Sequence, residues 1–315
     1  MRILVMGAGA IGSVFGGLLA EHGESVTLLG RRPHMQAIKQ NGLRITGLFG
    51  DHLVRDLAVA ESVSEIQGRD FDLVLVTVKS YDTARAVEEI GPLVGPGTLA
   101  ISLQNGLGNV ETISGALGER RTLGGRVIFG VTTPEPEHVE VTVYAEEVML
   151  GSPTNAVPMA RIEEIGSCFS AAGIPTKATA EINKFIWAKI LYNCALNPLA
   201  AILGTTYGDL LKAGETRRLM REIVGEIFAV ARTRGTPLFW EKPEEYVDVL
   251  FGRLIPDTAA HHPSMLQDIR KGRRTEIDAM NGAIARFGEE LGVPTPVNRL
   301  LTLLIKVREG LSASP

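Results

Sequence analysis

The sequence predicts an α/β protein in two parts: a doubly wound, mostly parallel sheet over residues 1–177, then an all-helical domain over 178–315. Three observations carry this. Short β-rich runs alternate with helical spacing through the first half. A glycine-rich turn joins the first strand to the first helix. Beyond about residue 176, strand signals nearly vanish. With 315 residues, 45% of them hydrophobic and 22% charged, the chain is long enough and apolar enough for two cores.

Residues 3–6 read as a strand and 11–21 as a helix, and 25–29 with 32–41 repeat the pair. The uncharged stretch 3–20 superficially resembles a signal peptide. Its glycines at 7, 9, 12, 16 and 17 would each cost near ~1 kcal/mol in a helix, so a strand–turn–helix unit fits better. Residues 43–60 alternate around Gly47 and Gly50 as a hairpin would, and 72–78 are almost continuously apolar, as in a strand covered on both faces. A helix at 82–94, a strand at 98–103 and a helix at 108–117 follow. Between 126 and 150 strands lack intervening helices, which suggests an antiparallel extension. Glycine and proline at 173–177 mark the domain boundary, and helical spacing covers 181–203, 214–234, 243–254, 264–291 and 298–311, with a frayed tail at 311–315.

Composition narrows the function. Of 35 glycines, 24 precede residue 178, so the surplus belongs to the strand–turn–helix half. The net charge of −4 divides into −6 before the boundary and +2 after it, which excludes a generally basic nucleic-acid or membrane-surface protein. No second uncharged apolar run reaches the ~18–20 residues that span a bilayer. Two cysteines, Cys168 and Cys194, form no C-x-x-C; they exclude a disulfide framework and suit a reducing cytoplasm. His261 and His262 have no spaced third ligand, so no metal is expected.

Gly7-Ala8-Gly9-Ala10-Ile11-Gly12 is a G-x-G-x-x-G directly after a strand and opening a helix. Gly7 would make the tight turn, Gly9 would admit a pyrophosphate to the backbone, and Gly12 would let helix and strand pack closely: a Rossmann-type dinucleotide loop. The alternative is a glycine turn without a ligand. An NAD site usually has a carboxylate about 20 residues on; here Leu29-Gly30-Arg31-Arg32 offers two guanidiniums, which suit a 2′-phosphate. NADP is therefore the expected cofactor and Arg31 its better ligand, against solvated arginines that begin the next helix. Lys79 and Asn105 end two strands, where ligands of open α/β sheets bind, although Asn105-Gly106 also has turn chemistry.

Lys189, Asn193 and Asn197 stand four residues apart and fall within about 80° on one helical face among apolar neighbours. Such a face is either the polar wall of a pocket or a satisfied buried cluster. Pro198 should kink this helix. Residues 264–278 carry the remaining chemistry; spacing alone does not rank Glu276 against Asp278, and the basic run 270–274 is flanked by acids as a solvated face would be.

With these residues assembled, the chain resembles the ketopantoate reductases over almost its whole length. The resemblance rests on Gly7 to Gly12, Lys79, Gln104-Asn105-Gly106 and Trp187-Ala188-Lys189 with Asn193 and Asn197-Pro198. It continues through Ser264-Met265-Leu266-Gln267-Asp268 and Thr275-Glu276-Ile277-Asp278. It implies NADPH-dependent reduction of 2-dehydropantoate to (R)-pantoate. Lys189 resembles the catalytic lysine and Glu276 the carboxylate supporting it. Asn105, Asn193, Asn197 and Ser264 resemble substrate-positioning residues, and Arg31 the 2′-phosphate ligand. Two alternatives stay open: an NADP-dependent reductase of another branched 2-keto or 3-hydroxy acid, and a non-catalytic NADP-binding redox sensor. The loop residues Tyr207 and His261 could alter the pocket. The expected partner is a small keto acid, with no nucleic acid and no membrane, and the long C-terminal helices leave a homodimer open.

Overall fold

Ile3, Leu4 and Val5 have no exposed surface, because the strand they form, β1 (Arg2–Met6), runs through the middle of a ten-stranded sheet. The computed structural model describes residues 1–66, 68 and 70–312. Two units divide the chain: Met1–Gln104 with Asn109–Ile182, and Asn105–Gly108 with Asn183–Pro315. The sequence places that division at Lys177 and assigns the loop 105–108 to the first half.

In the first unit β1 is followed by α1 (Ala10–Glu21), β2 (Ser25–Leu29), α2 (Arg32–Asn41), β3 (Leu43–Gly47), β4 (His52–Val54) and β5 (Ala58–Ala60). Then come β6 (Leu73–Val76), α3 (Thr83–Ile90), β7 (Leu99–Ser102), α4 (Asn109–Leu117), β8 (Thr122–Glu135), β9 (His138–Gly151), α5 (Met159–Ala171) and β10 (Thr176–Ala178). The strand order is β4-β3-β9-β8-β7-β6-β1-β2-β5, with β10 beside β9. The run from β8 to β5 is parallel throughout, and β8 and β9 form a long antiparallel ribbon. Apolar side chains of β6 and β7 are buried on both faces, as their unbroken hydrophobic runs require.

Two expectations change. The hairpin expected over 43–60 is β3 and β4 alone, turned by Gly47 and Gly50 at φ +93° and +108°. The third segment, β5, leaves it to pair in parallel with β2, where Ala60 is buried. The sequence also hides α5, although Ile162, Ile165 and Phe169 recur at helical spacing and are buried.

The second unit is helical: α6 (Ile182–Leu203), α7 (Tyr207–Leu210), α8 (Gly214–Arg234), α9 (Pro243–Val249), a π-turn at Leu250–Leu254, α10 (Ile255–Asp257), α11 (Ser264–Arg270), α12 (Asn281–Leu291) and α13 (Pro296–Ser312). Helix α6 is its core: Ile190, Leu191, Cys194, Ala195, Leu196 and Ala200 lie in one buried cluster with Met220, Ile223, Ile227 and Ile284. By length and composition α6 could cross a membrane, contrary to the sequence expectation, but 67% of its apolar window is buried in the protein.

The helix expected over 264–291 is broken. Gly272 takes φ +61° and Arg273 N–H returns to the Asp268 carbonyl at 2.8 Å, ending α11; a 3₁₀ turn at Ile277–Ala279 precedes α12. Helix α13 runs to Ser312 rather than fraying at 311, and the rest of the expected tail, 313–315, lies outside the described residues.

Candidate active site

The glycine loop of the first unit is shaped by backbone contacts. Gly7 sits at φ +104°, and a Cβ there would lie 2.5 Å from Val78 N. A Cβ on Gly12 would lie 2.6 Å from Thr77 Oγ1 and 2.9 Å from Val5 Cγ1, so α1 packs on β1 only because it is glycine. Gly9 differs: a Cβ there would meet nothing nearer than Gly7 O at 3.9 Å, and the residue is exposed. Gly9 is also the N-cap of α1, whose first turn carries no acid and no side-chain cap. Free helix N–H groups beside an open backbone suit the pyrophosphate of a dinucleotide. The sequence did not single out Thr77, which holds this loop by donating to Gly7 O at 2.8 Å.

At the end of β2 the two arginines separate. Arg32 pairs with Glu61 at 3.1 Å, whereas Arg31 is 83% exposed and meets Asp82 only at 3.8 Å. Lys79 begins the short turn after β6. Next to it, Gln104 Nε2 donates to Val78 O at 2.8 Å and to Thr83 Oγ1 at 2.7 Å, so the strand-end loops of this unit are tied together by side chains.

In the second unit, α6 presents Lys189 half-buried and Asn193 and Asn197 buried, on the face its spacing predicts. Pro198 lies inside α6 and cannot donate to the Cys194 carbonyl, four residues back. Asn281 Nδ2 fills that role at 3.1 Å and also donates to Asn298 Oδ1 at 2.9 Å. Asn298 in turn donates to Glu226, which also accepts the first N–H groups of α13 from Val297 and Asn298. This buried chain anchors α6 against α12 and α13.

The same segment gathers other predicted residues. Asn197 Nδ2 lies 3.8 Å from Met280 Sδ. Leu107 N–H donates to Ala279 O at 2.7 Å, and a Cβ on Gly106 would lie 2.6 Å from that of Ala279. The loop bearing Asn105 is thereby seated on the 3₁₀ turn that follows Glu276. Glu276 is 6% exposed, while Asp278 is bound to Lys306 at 2.6 Å and Arg274 at 3.2 Å. Burial raises the Asp278 carboxyl, but its bonds to Lys306 and Arg274 more than offset this and hold it below the usual range. Asp278 is a strut to α13, whereas Glu276 is buried. Ser264 is exposed at the first position of α11, and the structure records no bond joining it to α6.

A glycine loop opening the first helix of a parallel sheet, followed by a helical unit with a lysine-and-amide face, defines a nicotinamide-nucleotide oxidoreductase with a separate helical unit. The family model "Ketopantoate reductase PanE/ApbA" matches residues 3–155, and its C-terminal counterpart matches 181–309. The 2-dehydropantoate 2-reductase of Aquifex aeolicus is 38% identical over 98% of this chain and 97% of its own length. A crystal structure of a PanE/ApbA family ketopantoate reductase from Ralstonia eutropha superposes with TM-score 0.89 at 33% identity, over 100% of both chains. A D-mandelate dehydrogenase with NADH and anilino(oxo)acetate also reaches TM-score 0.89, at 27% identity over 100% of both chains. The chain belongs to the ketopantoate reductase family, and it is an oxidoreductase acting on CH–OH.

Proposed function

We propose that this chain reduces the ketone of 2-dehydropantoate to (R)-pantoate, a step toward pantothenate and coenzyme A, with NADPH as reductant in the cytoplasm. The observation that carries it is the α6 face of Lys189, Asn193 and Asn197 in a helix whose middle is buried in the core of its unit. When bound, the nicotinamide nucleotide supplies the hydride but not the proton. Lys189 holds its ammonium toward the ketone oxygen, stabilises the charge that grows there and donates the proton. Buried Glu276 favours the charged lysine and orients it. Asn105, Asn193, Asn197 and Ser264 position the carboxylate and hydroxyl without adding net charge. On the nucleotide side, the loop Gly7, Ala8, Gly9, Ala10, Ile11 and Gly12 holds the pyrophosphate, Arg31 the 2′-phosphate, and Lys79 with Asn105 the nicotinamide end. The absence of a carboxylate at the end of β2 supports NADPH over NADH.

The test is NADPH consumption with ketopantoate against other 2-keto acids, and cofactor titration of Arg31→Ala. Turnover of ketopantoate, and a loss of NADPH but not NADH affinity in the variant, are expected. The D-mandelate dehydrogenase neighbour favours a second reading, reduction of a different 2-keto acid with NADH. Preference for the keto acid of mandelate and for NADH would replace the first reading with this one. No consumption with any keto acid would leave a nucleotide sensor.

A second copy of the chain is the proposed partner. Leu300, Leu304, Val307 and Leu311 follow one another at spacings of four, three and four on α13, with Leu303 alongside, all between 40% and 71% exposed. That is the seam spacing of paired helices, and one such stripe complements itself about a two-fold axis. Sedimentation is expected to show a dimer that Leu304→Glu dissociates; a wild-type monomer at all concentrations would remove the partner.

A further inference from the structure

We propose that Tyr207 is a positioning residue that fixes Asn197 as a hydrogen-bond donor toward an oxygen of the bound keto acid. The proposal rests on the reading that Asn197 faces substrate.

Tyr207 is the first residue of α7 and only 3% exposed. Thr206 caps the helix and, with Thr205, holds Asp209, so the turn presents Tyr207 inward. Its backbone is clamped as well. Tyr207 N–H donates to His261 O at 3.2 Å and Gly208 N–H to Ala259 O at 2.9 Å. A Cβ on Gly208 would stand 2.8 Å from that of Ala259, so this approach requires glycine. The Tyr207 ring lies between Tyr192 and His261, with centroids 5.7 and 5.2 Å away.

Among the described residues the hydroxyl then has one partner, Asn197 Oδ1. Tyr192 does not compete: Thr258 donates its own proton to Leu254 O at 2.7 Å, so the Tyr192 hydroxyl donates to Thr258 at 2.7 Å. The orientation of the Asn197 amide follows from its other neighbour. Met280 Sδ, 3.8 Å away, is an acceptor only, so the amide nitrogen faces it and the oxygen faces Tyr207. Tyr207 is therefore the donor, the amide oxygen is engaged, and the second amide N–H is left for an acceptor. Carboxylate and hydroxyl oxygens of a keto acid are such acceptors, whereas a flipped amide would turn a carbonyl toward a carboxylate and repel it.

Tyr207→Phe keeps the ring between Tyr192 and His261 and removes only the hydroxyl. It is expected to raise KM for ketopantoate roughly 3- to 15-fold, the loss of about one hydrogen bond, with kcat changed less than about 2-fold. Trimethylpyruvate, which lacks the hydroxyl of ketopantoate, separates the two oxygens. An equal loss on both substrates assigns the donor to the carboxylate, and a loss on ketopantoate alone assigns it to the hydroxyl. In either case Tyr207→Phe should add nothing to Asn197→Ala. Asn197→Asp, which still accepts from Tyr207 but has no amide donor, should fail as badly as Asn197→Ala, and this arm stands even if the tyrosine variant does not fold. Wild-type kinetics in a folded Tyr207→Phe beside an impaired Asn197→Ala would overturn the role of Tyr207 alone. Wild-type kinetics in Asn197→Ala would overturn the placement of Asn197 as well.

Discussion

The two units build their candidate functional surfaces from different material. In the first, the shape of the glycine loop is backbone: positive φ at Gly7, contact at Gly12 and open space at Gly9. In the second, the shape is side chain. Lys189, Asn193 and Asn197 are set on α6 by a core and by the buried chain from Asn281 to Glu226. Backbone shape is encoded by the residue at each position, while side-chain placement depends on partners as far as 87 residues away along the chain. A change in the first unit should therefore act locally and a change in the second at a distance.

The sharpest separation is expected from Lys189→Ala. It should lower kcat by ~10²–10⁴-fold while NADPH affinity, measured by fluorescence titration, stays near wild type. Equal losses in both would join the functions proposed for the two units. Next comes Asn281→Ala, which leaves the Cys194 carbonyl without its donor and should cost about 1–3 kcal/mol in chemical unfolding. Adding Pro198→Ala restores the helical N–H that Cys194 lacks and should recover part of that loss; simple additivity would show that the proline does not create the need for Asn281. Gly9→Val is the counterpart in the first unit. It should cost no more than about 1 kcal/mol of stability, from replacing a favoured N-cap residue, yet weaken NADPH at least ~10-fold, about 1.4 kcal/mol, because its side chain enters space that the protein leaves open. A matching fall in stability would make Gly9 a packing glycine like Gly12.

The smallest effect concerns acid. Burial, aided by neighbouring His262, lowers the pKa of His261 below its ordinary 6.5. The folded state thus binds fewer protons than the unfolded one, so this contribution to stability is full above about 6.5 and declines as pH falls through the folded value. A modest loss of unfolding free energy between about pH 7 and 5, reduced in His261→Asn, is expected. A stability that rises in that interval would contradict it.

Legibility in the sequence follows the same division. Gly7, Gly9 and Gly12 could be assigned separate tasks because a backbone requirement leaves its mark at the residue itself. The α6 face was readable from spacing, since a helix repeats every 3.6 residues. What escaped was set by distant contacts. The break after α11 depends on Gly272 together with Glu309, which accepts from Thr275 N–H at 2.7 Å. Asp278 could be separated from Glu276 only once Lys306 was beside it. Tyr207 was legible only as a loop residue that could alter the pocket; the task proposed for it depends on Asn197 and Met280, which its own position does not reveal.

The loop Asn105–Gly108 has a practical meaning for dissection of this protein. Because it belongs with the helical unit, the chain crosses between units at Asn105, at Asn109 and again at Asn183, so no single cut releases either one whole. A fragment starting at Asn183 would lack Leu107, which is 7% exposed within the helical core, and would expose Ala279 where Gly106 had covered it. Independent expression of the helical unit would need the tetrapeptide grafted back, through a circular permutation or a short linker.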